Sequence, residues 1–238
     1  MENRPAPPGT PLTEMPPVSW RHERKFLLEG VTLAEAESLI KRHPAGFATA
    51  YPERAVNTIY LDTPELSFYQ LHIQGVSPRQ KVRLRWYGAS QGGAIQASLE
   101  FKLKRGQVNG KLTYPLAGFG FDGAPVAGWR LGAGLPEAVA AQCRGLEAVL
   151  VTRYRRRYYR AAGGSFRLTL DYGLDFTSIS RELALPPTKP LAFPHLILEL
   201  KYAVNDQLQA DHITQGFPFR LARFSKYATG LRLARPEV

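Results

Sequence analysis

The chain has 238 residues, 44% of them apolar, which is enough to bury the core of one generous domain. Its 31 Lys and Arg exceed its 20 Asp and Glu for a net charge of +11, and such a balance implies an anionic partner: nucleic acid, anionic lipid or a phosphorylated small molecule. One cysteine, Cys143, excludes an internal disulfide framework and a thiolate metal site. No apolar run reaches bilayer length, and the N-terminus lacks the basic-then-apolar order of a secretory signal; a cytoplasmic protein without a transmembrane segment is expected.

In chain order, residues 1–18 are Pro-rich and poor in large apolar groups, so a disordered tail is expected ahead of a single domain over 19–238. Segment 20–29 predicts a strand with Arg21, Glu23 and Lys25 on one face. Thr32 and Glu35 form a capping box for a helix that Pro44 ends. Strands are expected at 56–62, 81–88, 96–105 and around 111–116, with a short helix from Pro64 to His72. The Gly-rich stretch 117–134 reads as loop with some helix, and 136–147 as a helix that buries Cys143. Strands follow at 149–160, 165–172 and near 174–180. Pro186, Pro187, Pro190 and Pro194 then mark a loop before a strand at 195–202. Helices at 206–215 and 225–232 close the chain, the second capped by Ser225. Gly92-Gly93 and Gly163-Gly164 read as hairpin turns, and no phosphate-loop motif occurs. Six to eight strands without βαβ alternation predict an α+β protein, an antiparallel sheet or barrel with helices outside.

The chemistry lies in the alternation. Lys81, Arg83 and Arg85 alternate with Val82, Leu84 and Trp86; Glu100, Lys102 and Lys104 with Leu99, Phe101 and Leu103; Glu199 and Lys201 with Leu198, Leu200 and Tyr202. One such strand is an ordinary half-buried strand. Repeated on strand after strand, a mostly cationic face means either an open basic surface for nucleic acid or a closed sheet whose bore the cations line. The apolar stripes of the helices favour the second, because they need the apolar strand faces as partners. A bore of many cations needs a dense anion, since each desolvated charge costs several kcal/mol.

Eight pieces carry a resemblance: R-H-E-R-K-F (21–26), N-T-I-Y-L-D (57–62), K-V-R-L-R-W-Y (81–87), L-E-F-K (99–102), R-Y-R-R-R-Y-Y (153–159), R-L-T-L-D (167–171), L-E-L-K (198–201) and F-S-K-Y (224–227). In this order they resemble the polyphosphate-polymerase domain of the vacuolar transporter chaperone family, within the CYTH-like triphosphate tunnel metalloenzymes. The resemblance implies an eight-stranded antiparallel β-barrel forming a tunnel, ATP and polyphosphate as partners, and Mn²⁺ or Mg²⁺ as cofactor. Carried over by position, it implies that Lys25, Arg83, Arg85, Lys102, Arg156 and Lys226 grip phosphates. Tyr154, Lys104, Lys111, Lys201 and Ser225 would help bind substrate. Glu199 would be the principal metal ligand, with Glu23 and Glu100 either ligands or holders of neighbouring cations. Hydrolases and cyclases of the wider superfamily begin Glu-x-Glu-x-Lys; here Arg21 replaces the first carboxylate, which agrees better with the polymerase branch.

Other residues have plainer readings. Arg153, Arg155 and Arg157 are expected outside, solvated or paired, and Asp62 and Asp171 in turn or ion-pair roles. The histidines show no metal-ligand spacing. The competing functions are a tunnel triphosphatase, a non-catalytic polyanion-binding module and a nucleic-acid binder, for which no recognised motif is present.

Overall fold

The computed structural model describes residues 18–90, 92–121, 134–179 and 189–236. The expectations for the tail through residue 17, for 122–133 and for the loop around Pro186 and Pro187 fall outside these residues. The strands are β1 (Arg21–Leu28), β2 (Ala48–Asp62), β3 (Arg79–Tyr87), β4 (Gly92–Arg105), β5 (Val108–Phe121), β6 (Glu147–Arg160), β7 (Arg167–Ser178), β8 (Leu191–Phe193) and β9 (Leu196–Ala203). The helices are α1 (Leu33–Arg42), α2 (Ser67–Ile73), α3 (Glu137–Cys143), α4 (Gln207–Gln215) and α5 (Lys226–Ala234).

Eight strands close into an antiparallel barrel in the order β6-β2-β3-β4-β5-β1-β9-β7, with β7 returning to β6; β8 adds to β7 beyond the reach of β9. The period-two patterns explain the closure. Val82, Leu84, Trp86, Leu99 and Phe101 point outward into a core shared with Val139 and Cys143 of α3. Phe26, Leu28, Leu168, Leu198 and Leu200 face Ala36 and Ile40 of α1 and Ala210 and Ile213 of α4. Each helix thus covers an apolar strand face, and the polar faces turn into the bore.

Chain direction defines two mouths. The ends of β3, β6 and β9 and the starts of β1, β2 and β7 lie at the first; the ends of β2, β4 and β7 and the start of β3 lie at the second. At the second mouth α5 packs Tyr227, Ala228 and Leu231 against Leu150, Phe176 and Ile197. Gly230 allows that approach, because a Cβ there would lie 2.4 Å from the Phe176 ring. The seam between β1 and β5 has one register pair, Arg21↔Asn109. Further along, the edge of β1 is taken by residues 221–222, through a Phe26↔Leu221 bridge and a 2.8 Å bond from Ala222 N–H to the Lys25 carbonyl. This strand-like patch brings Phe224–Lys226 into the wall of the bore. At the start of β1, Val18 and Trp20 pack over Gly110, whose missing Cβ would meet both.

Several elements differ from the sequence expectation. β2 begins at Ala48 rather than 56, and β5 runs to Phe121, into the stretch expected as loop. One strand, β7, replaces the two expected; a register shift between Arg153 and Arg155 of β6 absorbs Gly173, whose φ is +57°. α2 starts at Ser67, leaving Pro64 in the preceding turn. There the Asp62 carboxylate accepts the Thr63, Phe68 and Tyr69 amides at 2.7–2.9 Å, so Asp62 fastens the helix start. Gly92 and Gly93 open β4, and Gly88, with φ of +89°, stands in the turn before it. The capping box of α1 is present in both directions, as is the Ser225 cap of α5.

Candidate functional site

The bore holds a cavity of about 1320 Å³, lined at one end by Arg160, Arg167 and Tyr87 and at the other by Arg79, Lys104 and Arg223. Register builds its wall in rows, because paired residues of adjacent antiparallel strands share a face. Lys81↔Lys102↔Lys111 forms one row across β3, β4 and β5, and Tyr60↔Arg83↔Glu100 another across β2, β3 and β4. On the far side, Lys25↔Glu199↔Thr169 crosses β1, β9 and β7. Lys25, Arg83, Arg85, Lys102, Arg156, Lys226, Tyr154, Lys104, Lys111, Lys201, Ser225, Glu23 and Glu199 all line this one cavity. The cationic faces therefore converge on a shared interior.

Like charges abreast repel unless something neutralises them, and four carboxylates are spaced among the cations. Glu100 is ringed: Arg83 Nε and Nη2 each lie 2.7 Å from Oε2, Arg85 Nη1 lies 3.7 Å from it, and Lys111 Nζ lies 2.8 Å from Oε1. Burial would raise its pKa, but these three cations hold it far below the carboxylate range. Considered from sequence as a metal ligand or a cation holder, Glu100 has the geometry of a holder, since both its oxygens are engaged. Asp171, fully buried, grips Arg156 bidentately at 2.5 and 2.7 Å and takes Lys226 Nζ at 2.5 Å. Burial opposes its ionisation, yet Arg156 and Lys226 hold it at about 2.

Glu23 and Glu199 stand near each other from β1 and β9, each carboxylate acting on the other's ionisation. Arg21 reaches Glu23 Oε1 at 3.1 Å and Lys102 reaches Oε2 at 2.7 Å. Glu199 is more open. Its Oε2 has only distant cations, Lys201 at 3.6 Å and Arg156 at 3.9 Å, and its buried Oε1 has no hydrogen-bond partner. Burial favours the acid, but Lys201, Lys25 and Lys102 outweigh it and keep Glu199 ionised. A buried, ionised oxygen with no donor is an open ligand position. Among the described residues no cluster of three or more His, Cys, Asp or Glu could hold a metal.

The remaining cations are incompletely neutralised. Lys25 Nζ donates to the Phe224 carbonyl at 3.0 Å and Lys81 Nζ to Ser225 Oγ at 2.6 Å, both uncharged acceptors. Burial, then the neighbouring Lys25 and Lys102, push Lys81 well below the usual lysine value. Burial brings Lys201 down to about 7 against the pull of Glu199. Tyr154 receives Arg85 Nη2 at its hydroxyl (3.3 Å) and lies under Arg156 Cζ and Lys226 Nζ, 5.2 and 4.6 Å from its ring centre. Lys104 lies at the second mouth beside His72, whose pKa burial and nearby cations lower to about 3, leaving the imidazole neutral.

Arg155 and Arg157 pair outside with Glu53 at 2.8 Å. His43 is a core residue, bonded to Ile213 O and Ala45 N–H and stacked on Phe217. Burial raises the Cys143 thiol to about 11. The sequence reading gave Lys81 no role of its own and omitted Tyr60, whose hydroxyl faces Arg83 and Arg85; both were recoverable from the period-two faces of β3 and β2.

No curated protein matches the chain in sequence. In three dimensions it is similar to HpAC1 of Hippeastrum, a candidate adenylyl cyclase with a dominant triphosphatase activity, at 14% identity and a TM-score of 0.50, over 90% of this chain and 95% of that one. A candidate adenylate cyclase of Vibrio parahaemolyticus is similar at 13% identity and TM-score 0.49 (88% and 96% covered). PH1819 of Pyrococcus horikoshii OT3 is similar at 12% and 0.47 (90% and 98% covered). At 14% identity the likeness to HpAC1 concerns the fold alone. The VTC domain model matches residues 20–117 and 136–235, nearly the whole described barrel, and the chain belongs to the VTC domain family.

Proposed function

We propose that the chain is a metal-dependent polyphosphate polymerase that transfers the γ-phosphoryl of ATP to the end of a polyphosphate chain held in the bore. The observation that carries this reading is the convergence of the cationic strand faces on one cavity, with Glu199 presenting an unpartnered oxygen among them. Arg83, Arg85 and Arg156 offer bidentate forks to phosphate oxygens, and Lys25, Lys102 and Lys226 offer point charges. Phosphoryl transfer needs positioning and charge neutralisation more than a covalent nucleophile. A terminal oxygen of the acceptor chain bonds to the γ-phosphorus, the bond from that phosphorus to the β–γ bridging oxygen breaks, and ADP leaves. Arg83 and Arg85 are held by Glu100, and Arg156 and Lys226 by Asp171, so the groups that meet the developing charge are oriented before substrate arrives.

The residues present fit a hard divalent cation, Mn²⁺ or Mg²⁺. Such ions are bound through one or two carboxylates, with substrate phosphates and water completing the shell. Glu199 supplies the open oxygen, whereas both oxygens of the neighbouring Glu23 are engaged, by Arg21 and Lys102. When bound, the ion would neutralise charge on the transferring phosphoryl group.

Hydrolysis of triphosphate is the second reading, with water in place of the acceptor chain; the triphosphatase activity of the similarly folded HpAC1 favours it. Against it, Arg21 stands where a second metal carboxylate would, and its guanidinium engages Glu23. Incubation with ATP and Mn²⁺, with products resolved by gel electrophoresis and orthophosphate assay, separates the readings. Long polyphosphate is expected. Orthophosphate alone would replace synthesis with hydrolysis, and tight polyphosphate binding without turnover would make the chain a binding module.

A further inference from the structure

The two mouths of the bore differ in one respect that phosphate binding does not require. Among the side chains the structure describes, Tyr51 at 49% and Tyr87 at 48% are the exposed Phe, Tyr or Trp rings. Both line the cavity, and both lie at the first mouth, Tyr51 near the start of β2 and Tyr87 at the end of β3. Tyr158 of β6 joins them, paired in register with Tyr51 and meeting its ring edge-on with centres 5.9 Å apart. Arg54 stands among all three, its Cζ 5.3 Å from the Tyr87 ring, 5.8 Å from Tyr158 and 5.9 Å from Tyr51. At the second mouth the lining includes Arg79, Lys104, Arg223 and the apolar Ile73 and Leu221, with no exposed Phe, Tyr or Trp ring among the described residues.

Exposed rings beside a guanidinium at the rim of an anion-binding bore form a stacking surface. We infer that Tyr51, Tyr87, Tyr158 and Arg54 form a nucleobase subsite that holds the base of a nucleoside triphosphate at the first mouth while its phosphates extend inward. The inference rests on the triphosphate reading and deepens it. The first mouth admits the nucleotide, the terminal phosphoryl lies deepest, and the growing chain leaves toward the second mouth along Lys81, Lys104 and Arg79. Every base presents a π face, so stacking distinguishes nucleotide from inorganic chain without choosing the base.

The test compares binding of ATP, CTP and inorganic tripolyphosphate by calorimetry, on the whole chain and on a Tyr51→Ala, Tyr87→Ala double variant. Stacking on aromatic rings is worth about 1–3 kcal/mol per base, so ATP affinity should fall by about fivefold or more in the double variant while tripolyphosphate affinity stays within about twofold. The Tyr51→Phe, Tyr87→Phe variant should bind ATP as the unaltered chain does, because the ring and not the hydroxyl is used. CTP should weaken alongside ATP. Equal losses for ATP and tripolyphosphate, or no loss for ATP, would overturn the subsite and leave the phosphate tunnel standing. Failure of the unaltered chain to bind tripolyphosphate would overturn the tunnel and the subsite together.

Discussion

Replacing Asp171 with Asn preserves shape and removes the charge that grips both Arg156 and Lys226. Both cations have side chains only 11% exposed, and Asp171 is fully buried. Removing one partner of a buried pair costs about 3–5 kcal/mol. The acidity gives a second figure. A carboxyl held at about 2 instead of 3.8 corresponds to roughly 2–3 kcal/mol at about 1.4 kcal/mol per unit. The lower figure is preferred because both cations keep other company: Arg156 Nη2 is 3.9 Å from Glu199 Oε2, and Lys226 Nζ lies 4.6 Å from the Tyr154 ring centre. For a chain of this size, about 2–3 kcal/mol corresponds to a melting temperature lower by roughly 4–12 °C at neutral pH. The pH dependence follows from the same numbers. The folded pKa is depressed, so the stabilisation is complete above the unfolded value near 4 and is lost as pH falls toward 2; melting curves of the two proteins should converge over that interval. Tripolyphosphate brings negative charge to the same two cations, so a saturating concentration should narrow the gap at neutral pH. Scanning calorimetry with and without tripolyphosphate reads all three outcomes. A melting temperature within about 2 °C of the unaltered chain, or a gap that tripolyphosphate leaves untouched, would refute the reasoning.

Arg83→Ala and Arg85→Ala should each weaken tripolyphosphate binding by about 1.5–3 kcal/mol, the range for hydrogen bonds to charged groups; unchanged affinity in both would remove them from the site. Glu199→Gln should abolish Mn²⁺-dependent turnover while retaining tripolyphosphate binding without metal, and persisting turnover would remove Glu199 as the metal ligand. Burial and neighbouring cations lower Lys81, and burial brings Lys201 to about 7, so an arriving polyanion should raise both values. Binding at pH 7–8 should therefore take up protons, seen as a dependence of calorimetric heat on the buffer's ionisation enthalpy; zero or negative uptake contradicts it.

The barrel's inner face was legible because its chemistry differs from the outer face at every second residue. Lys81, Arg83 and Arg85 face in, and Val82, Leu84 and Trp86 face out. Pairing was not legible. In the sequence Glu23, Glu100 and Glu199 look alike, each two residues from a cation. Register separates them. Glu100 falls opposite Arg83 and is ringed. Glu199 falls opposite Lys25, whose amine bonds the Phe224 carbonyl instead. That carbonyl is in place because residues 221–222 occupy the free edge of β1, a contact between positions almost two hundred residues apart. The aromatic mouth was hidden for the same reason: Tyr51, Tyr87 and Tyr158 come from three strands, and irregular pairing at the start of β2 sets their approach.

The placement of carboxylates shows how a cationic bore can fold before its ligand arrives and still bind it. Full neutralisation would stabilise the empty barrel and leave a polyanion little to gain; none would leave rows such as Lys81, Lys102 and Lys111 to repel. The arrangement lies between. Glu100 and Asp171 hold the Arg forks, whose several donors leave some free for phosphate after the carboxylate is bound. The two lysines bonded to neutral oxygens, Lys25 and Lys81, lean on Phe224 and Ser225 at the start of α5. A phosphate entering there exchanges weak neutral acceptors for charged ones, so the gain on binding is concentrated beside Lys226 and the α5 amides. On the proposed reading, the deepest phosphoryl group would thereby be favoured at one place along the bore, which a transfer reaction requires and a simple polyanion-binding module does not.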